Sequence, residues 1–176
     1  MEKTALGRGK GESKKVLWGW VLLGVLGAAL LVLLGAGLFF FRFSMVRGKR
    51  RQQEEEFLKK GTIWHPFRQR MEEAQAFIRS HTQEKVGLRS RDGLQLTALY
   101  LPAPGESRGT ILAFHGYRSL ATVDFALEVE FLHNLGYDLL LPYQRSHGES
   151  QGKYITYGVK ERFDCQSWAR YAARRW

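Results

Sequence analysis

The hydrophobic positions of this chain follow three different patterns along its length. Residues 16–41 form a run of 26 positions without a charged side chain. At about 1.5 Å per residue, a helix of this length spans roughly 39 Å, which exceeds the hydrocarbon core of a bilayer at about 30 Å. The run is also longer than the apolar region of a cleaved signal peptide, roughly 7–15 residues. We therefore predict an uncleaved transmembrane helix over residues 16–41.

The second pattern is helical spacing. Pro66 suits a first helical position, and the apolar side chains then recur at intervals of three or four residues, at Phe67, Met71, Ala74 and Ile78. This spacing predicts an amphipathic helix over 66–80. Its apolar stripe is expected to pack on the domain that follows.

The third pattern is a series of short apolar runs bounded by glycine, proline and aspartate. These runs predict strands over 85–91, 94–102, 109–114 and 137–143, with Asp92-Gly93 as a two-residue hairpin turn between the first two. Helices over 124–135 and 158–176 follow the third and fourth strands. A hairpin followed by β-α-β-α predicts an α/β fold, in which an antiparallel pair joins parallel strands with covering helices.

The distribution of charge along the chain indicates what kind of partner it binds. The net charge is +10, but the excess lies in residues 1–15, with five basic against two acidic residues, and in 42–60, with seven against three. Residues 81–176 carry twelve against ten. An excess that flanks one apolar segment is typical of contact with a membrane surface, and it argues against a nucleic-acid partner.

The predicted domain organisation follows from these patterns. It comprises a basic tail (1–15), the transmembrane helix (16–41), a charged juxtamembrane linker (42–65), the amphipathic helix segment (66–83) and an α/β domain (84–176). We expect a single-pass protein of the cell membrane whose partner over 16–41 is the lipid bilayer. A short basic tail before a first helix usually stays inside, which predicts that the domain lies on the outer side.

Polar residues follow two of the predicted strands where each strand ends. His115-Gly116-Tyr117 follows the third strand, and a stretch that starts at Gln144 follows the fourth. In open α/β sheets, ligands sit beyond the carboxyl ends of parallel strands. Gly116 permits a sharp turn that can aim the main-chain N–H of Tyr117 into a cleft, where it would stabilise an oxyanion. The alternative is that His-Gly only terminates the strand.

The two stretches together resemble motifs of the α/β-hydrolase superfamily, and more narrowly its membrane-anchored bacterial branch of serine aminopeptidase-like and lysophospholipase-like hydrolases. The resemblance covers about residues 84–176. In that family His-Gly-x follows the third strand and supplies the oxyanion-hole backbone, which implies roles for His115, Gly116 and Tyr117. Asp-x-Arg-x-His-Gly-x-Ser-x-Gly follows the fourth strand, and this chain matches it at Arg145, His147, Gly148, Ser150 and Gly152. Tyr143 stands where the family has aspartate, so the carboxylate that would brace this loop is missing there.

Ser150 lies in a literal G-x-S-x-G pattern, which marks the nucleophile of many hydrolases. That pattern requires a strand running directly into the serine and a helix directly after it. Here four polar residues, 144–147, separate the strand from Gly148, and the residues after Ser150 open a helix poorly. The family places this same pattern in its fourth-strand loop, where the serine is structural. We therefore interpret Ser150 as structural, with a nucleophilic Ser150 as the alternative.

The resemblance then implies that the nucleophile and the rest of the triad lie outside these residues. The family order is Ser, then Asp or Glu, then His, and the nucleophile would follow the last predicted helix. The fold expected here is thus the N-terminal part of an α/β-hydrolase sheet preceded by one transmembrane helix, an incomplete domain that is inactive as given.

Two functions from different classes remain open on the sequence. The first is a membrane-anchored serine hydrolase that acts on an ester, thioester or amide bond of a small molecule or peptide. The second is a non-catalytic membrane-anchored protein that docks a partner on an exposed strand edge. Neither metal-ligand spacing nor a phosphate-binding glycine loop stands out, so no metal or cofactor is expected.

Overall fold

The computed structural model describes residues 8–47, 61–62 and 65–175. The chain divides into two compact units, with the boundary between Ser44 and Met45. Most of the predicted linker over 42–65 and the start of the predicted basic tail lie outside the described residues.

The first unit contains the long helix α1 (Arg8–Met45). It begins earlier and ends later than the predicted span over 16–41. Leu30, Leu31, Val32 and Leu33 are all exposed, and four consecutive residues point to all sides of a helix. A helix that is apolar around its whole circumference suits a lipid environment. By length and composition, α1 can cross a membrane over Lys14–Met45.

The second unit is built on a mixed four-stranded sheet of order β1-β2-β4-β3. Its strands are β1 (Glu84–Arg89), β2 (Gln95–Leu101), β3 (Thr110–Leu112) and β4 (Asp138–Tyr143). β2 pairs antiparallel with both β1 and β4, whereas β3 and β4 are parallel. The predicted fold class, a hairpin followed by parallel strands with covering helices, is therefore confirmed.

Helices cover both faces of this sheet. The first face packs against α2 (Arg68–His81), α3 (Ala121–Asp124) and α4 (Ala126–Asn134), and it contributes Leu99, Leu101, Leu139 and Leu141 to the core. The second face packs against Trp168 and Ala172 of α5 (Glu161–Arg175), and it contributes Ala98, Tyr100 and Leu140. The two sets alternate along the strands, as the period-two geometry of a strand requires. Since both faces are covered, all six residues of β4 are buried.

The helix predicted from residue 66 begins slightly later than expected. Residues His65–Phe67 form a 3₁₀ turn, and α2 then runs from Arg68 to His81. Met71, Ala74 and Ile78 are buried in the first core, which confirms the predicted stripe. Phe67 is half exposed and falls outside that stripe.

The hairpin loop between β1 and β2 is one residue longer than predicted. The Ser90 N–H donates to Leu94 O at 2.8 Å, which leaves residues 91–93 as a three-residue loop. The Gly93 N–H closes a turn onto Ser90 O at 3.0 Å, and Gly93 has a φ of 86°. This is the common arrangement of a turn followed by a left-handed residue. Only Gly93 needs the positive φ, so Asp92 keeps an ordinary backbone and its side chain reaches elsewhere.

β3 is shorter than the predicted strand and lies at one edge of the described sheet. It pairs with β4 on one side, and its three residues are half buried. The helix predicted over 124–135 is interrupted at Phe125, which separates α3 from α4. This break places Asp124 at the end of a short helix, where its carboxylate faces the residues after β3.

One fully buried leucine of the central strand β4 provides a test of the core. Leu140 has no exposed surface and pairs with Tyr100 on one side and Leu112 on the other. We expect Leu140→Ala to lower the free energy of unfolding by about 2–5 kcal/mol, because the substitution leaves a cavity in the core between the sheet and α5. The measurement is urea unfolding followed by circular dichroism in detergent. Leu135→Ala, at a position 40% exposed, is the matched control, and an equal loss in the two variants would contradict the assignment.

Candidate functional site

The two polar stretches predicted from the sequence lie side by side. We call residues 115–119 the β3 turn and residues 144–158 the β4 loop. The rings of His115 and His147 meet edge to face, with centroids 4.8 Å apart. The Gln144 N–H donates to His115 Nε2 at 3.1 Å, and the Arg118 N–H donates to His147 Nε2 at 3.2 Å. Each histidine therefore accepts a main-chain hydrogen bond from the other segment.

These hydrogen bonds fix the protonation of both rings. A backbone N–H can only donate, so Nε2 of each ring is an unprotonated acceptor. Nδ1 then carries the proton, which His115 donates to Gly116 O and His147 donates to Arg145 O, both at 2.9 Å. Burial lowers the pKa of His115 to about 4 and also lowers the pKa of His147. Both side chains are neutral structural ties, and neither offers a lone pair for use as a base.

The β3 turn is held by a carboxylate that the sequence analysis did not identify. Asp124 Oδ2 accepts the Gly116 N–H at 2.7 Å, and Asp124 Oδ1 accepts the Ser119 hydroxyl proton. The Ser119 N–H closes the turn onto Gly116 O at 3.3 Å. One side chain thus fixes both ends of the turn that contains Tyr117.

Gly116 is not the residue that gives this turn its positive φ. The positive φ in the turn falls at Arg118, at 54°, and not at Gly116. A Cβ at Gly116 would instead lie 3.3 Å from Asp124 Oδ2. A side chain at 116 would therefore crowd this carboxylate, whereas the backbone angle at 116 does not itself require glycine.

Tyr117 lies at the exposed tip of the turn. Tyr117 is 48% exposed, and its ring stacks on that of Tyr157 in the β4 loop, with the ring centroids 5.3 Å apart. The assignment of its main-chain N–H as an oxyanion donor stays a prediction.

The β4 loop is braced by two aspartates at sites distant in sequence. The buried Arg145 guanidinium binds Asp164 through Nε at 2.6 Å and Nη2 at 2.8 Å. It also binds Asp92 in the hairpin loop through Nη1 at 2.9 Å and Nη2 at 3.1 Å. The hydrogen bond from Arg145 holds the pKa of Asp92 well below its usual range. These two carboxylates brace the arginine, although the resemblance noted in the sequence implied a carboxylate at position 143 instead.

Sequence reasoning missed Asp92 and Asp164 because no local signal joins them to Arg145. They lie 53 and 19 residues away, respectively, and Asp92 was interpreted only as a turn residue. An indirect signal was available, since a buried arginine in the motif needs an acidic partner and position 143 cannot provide one.

Ser150 occupies a structural position. It is 1% exposed, its Oγ accepts the Thr97 N–H at 2.9 Å, and its hydroxyl donates to Tyr143 O at 2.5 Å. The other two serines of these segments are engaged in the same way, since Ser146 donates to Tyr154 O and Ser119 to Asp124. None of the three hydroxyl protons is directed at a histidine.

The glycines on either side of Ser150 are also explained by packing. A Cβ at Gly148 would lie 2.3 Å from the Tyr143 ring, and one at Gly152 would lie 2.6 Å from Ser146 Oγ. Both also have positive φ, at 46° and 129°. The G-x-S-x-G pattern therefore describes a tightly folded loop rather than a nucleophile turn.

A small cavity of about 150 Å³ lies between the two segments. Its lining combines residues of the β3 turn, the β4 loop and the start of α5: His115, Gly116, Tyr117, Gln144, His147, Ile155, Tyr157, Gly158 and Glu161. Burial alone would raise the pKa of Glu161, but hydrogen bonds from Thr156 and Gly158 outweigh it and lower the pKa. Glu161 is thus a fully bonded carboxylate, and the cavity wall consists mainly of backbone and neutral side chains.

No family model matches the chain, and no curated protein matches it either. Among solved structures, the chain is similar to the esterase Pf2001 of Pyrococcus furiosus in two crystal forms, each at 28% identity, with TM-scores of 0.47 and 0.48. Each match covers 53% of this chain and 36% of that one. The chain is also similar to the α/β hydrolase GrgF from Penicillium sp. sh18, at 18% identity, a TM-score of 0.45, and coverage of 50% and 31%. The matched part of the chain thus spans about a third of each of these structures.

The neutral state of His115 predicts that the stability of the folded protein depends on pH. In the unfolded chain this ring takes up a proton as the pH falls through 6.5, whereas the folded protein resists protonation until about pH 4. The unfolded state therefore binds more protons in this window, and stability falls with pH between 6.5 and 4, by up to about 3 kcal/mol from this group. His147 adds a loss of the same sign, since its pKa is also lowered.

The measurement is the urea unfolding midpoint between pH 7.5 and 4 for the wild type and His115→Gln. The variant should lose part of the dependence on pH. His65→Gln, which replaces an exposed histidine, is the matched control. A slope that is the same in all three proteins would contradict the neutral assignment of His115.

Proposed function

We propose that this chain is the N-terminal part of a membrane-anchored α/β-hydrolase, a serine hydrolase that acts on an ester, thioester or amide bond. In this proposal residues 84–176 provide one half of an oxyanion hole. The serine nucleophile, the acidic residue and the histidine of the triad come from residues that are not in this chain, which on its own does not hydrolyse substrate. The substrate is a small molecule or a peptide.

One observation carries the proposal: the β3 turn and the β4 loop lie against each other beyond the carboxyl ends of two parallel strands. That is the position at which α/β sheets bind ligands. The paired motifs that resemble the hydrolase family are the same residues that form this contact, since His115 and His147 tie the segments together.

The proposed chemistry assigns a distinct task to each residue. A serine oxygen attacks the carbonyl carbon of the substrate, and the electron pair of the C=O bond moves onto its oxygen. The Tyr117 N–H donates to that oxyanion, and a fixed donor of this kind typically contributes about 10²–10³ in rate. The triad histidine accepts the serine proton and donates it to the leaving group, whose expulsion gives an acyl-enzyme. Water then hydrolyses the acyl-enzyme, which releases the acid and restores the serine. Asp124, through Gly116 and Ser119, fixes the turn before the charge develops.

A second function is favoured by the position of β3. This half-buried strand lies at one edge of the described sheet. An edge strand can accept a strand from a partner, as in a non-catalytic interaction protein. The hydrolase proposal instead assigns this edge to the strand that bears the nucleophile.

The hydrolase proposal is tested on the complete protein that the gene encodes, purified in detergent. We expect it to hydrolyse p-nitrophenyl acyl esters and to be labelled covalently by a fluorophosphonate at a serine other than Ser150. Ser150→Ala should retain turnover, at reduced thermal stability, because Thr97 N–H and Tyr143 O lose a buried partner at about 1–3 kcal/mol. Peptide mapping of the label locates the nucleophile even if this variant folds poorly.

Asp124→Ala tests whether the fixed geometry of the β3 turn contributes to hydrolysis. It should lower kcat by about 10-fold or more with a smaller change in KM, because the turn loses its fixed geometry. Glu128→Ala, at an exposed acidic position of α4, is the matched control. Absence of both hydrolysis and labelling in the wild type, together with a cooperative thermal transition of residues 60–176 expressed alone, would favour the interaction protein instead.

The membrane anchor is a further part of the proposal, supported by the length and apolar circumference of α1. We expect the protein to stay in the pellet when membranes are washed with carbonate at pH 11 and to dissolve in detergent. A variant with three arginines, at Leu26, Leu30 and Leu33, should leave the pellet, because each central charge costs about 3 kcal/mol in insertion. Retention of that variant would contradict a spanning helix. Protease digestion of the domain on intact cells would support its proposed outer location.

A further inference from the structure

The first residues of the second unit are hydrogen-bonded to the β4 loop, part of which lines the candidate site. We call Met45–Arg47, the start of the second unit, the strap. Val46 forms an antiparallel bridge with Tyr154, in which the Arg47 N–H donates to Lys153 O at 2.9 Å and the Ile155 N–H donates to Met45 O at 2.7 Å. The strap thus adds a one-residue strand to the β4 loop, immediately before Ile155 enters the cavity wall.

The side chain of Arg47 makes a second attachment to the same loop. Its Nη1 donates to Ser150 O at 2.8 Å and its Nη2 donates to Gly148 O at 2.5 Å. Two parallel bonds from one planar guanidinium restrict orientation as well as distance. These carbonyls belong to the tightly turned part of the loop, where Gly148 has a φ of 46°. Arg47 therefore ties the strap to two carbonyl groups of this turn.

A third attachment joins the strap to the β3 turn. Arg118 Nη2 donates to Val46 O at 3.2 Å, while the main-chain N–H of Arg118 donates to His147 Nε2. Arg118 is the residue with positive φ that directly follows Tyr117. The strap is consequently bonded to both segments that enclose the cavity, on either side of the proposed oxyanion donor.

We propose that Arg47 is a positioning residue for the oxyanion hole: by fixing the β4 loop, and through Val46 the side chain of Arg118, it sets the direction of the Tyr117 N–H. This inference deepens the proposed function and rests on it. The residue acts through the loop and the turn and does not touch the substrate. The sequence that precedes the α/β domain thereby contributes to turnover in addition to joining the domain to the helix.

The test compares Arg47→Ala and Arg47→Lys in the complete protein. Both should lower kcat for p-nitrophenyl esters by about tenfold while KM changes less than twofold, since a misdirected donor weakens only the transition state. Lysine keeps the charge but cannot bridge two carbonyls, so Arg47→Lys should not restore kcat. Arg118→Ala, which removes the other link to the strap, should reproduce the loss. Arg68→Ala, at an exposed arginine paired with Glu72 in its own helix, is the matched control.

Hydrogen–deuterium exchange separates this inference from the proposed function. Arg47→Ala should speed amide exchange in residues 116–119 and 146–155, and leave exchange in β2 unchanged, whether or not the wild type is active. Faster exchange without any wild-type hydrolysis would overturn the proposed function and retain the strap as a coupling between the two segments. Unchanged exchange in 116–119, or a lower melting temperature with wild-type kcat, would overturn the positioning role. Recovery of full kcat in Arg47→Lys would also overturn it.

Discussion

The geometry of the candidate site depends on one buried arginine. Arg145 is 4% exposed on its side chain and binds carboxylates from the hairpin loop and from α5. A buried charge is tolerated only where partners and hydrogen bonds compensate its loss of water, and removal of one partner leaves a costly unpaired ion. The three elements are therefore held at a fixed separation. The β4 loop leaves the sheet in one direction because its second residue is bound on two sides.

Neutral histidines carry this order from the β4 loop to the β3 turn. Both nitrogens of each ring are hydrogen-bonded to main-chain groups, and the hydrogen bond at each Nε2 joins one segment to the other. Such a tie is specific because a protonated ring could not accept these N–H groups. Asp124 completes the arrangement from the opposite side of the turn. The result is that main-chain groups of both segments are held in fixed directions by buried side chains.

Sequence patterns predicted the elements better than the contacts between them. The apolar run of α1, the stripe of α2 and the four strands follow from periodicity, which depends on local geometry. The neighbouring positions of the β3 turn and the β4 loop could also be inferred, because they end adjacent parallel strands. Asp92, Asp164 and Arg47 could not be inferred in this way, since their partners lie 19 to 103 residues away. The hairpin loop length was wrong because Asp-Gly is compatible with both two-residue and three-residue turns.

The close contact between Gly148 and Tyr143 constrains how this loop can diverge. The aromatic ring occupies the space that any larger side chain at 148 would need. Gly148 also has a φ of 46°, so a smaller side chain at 143 would open the space without removing the backbone preference for glycine. Position 148 is therefore constrained twice, by the neighbouring ring and by its own backbone angle, and a substitution at 143 could relieve only the first of these constraints.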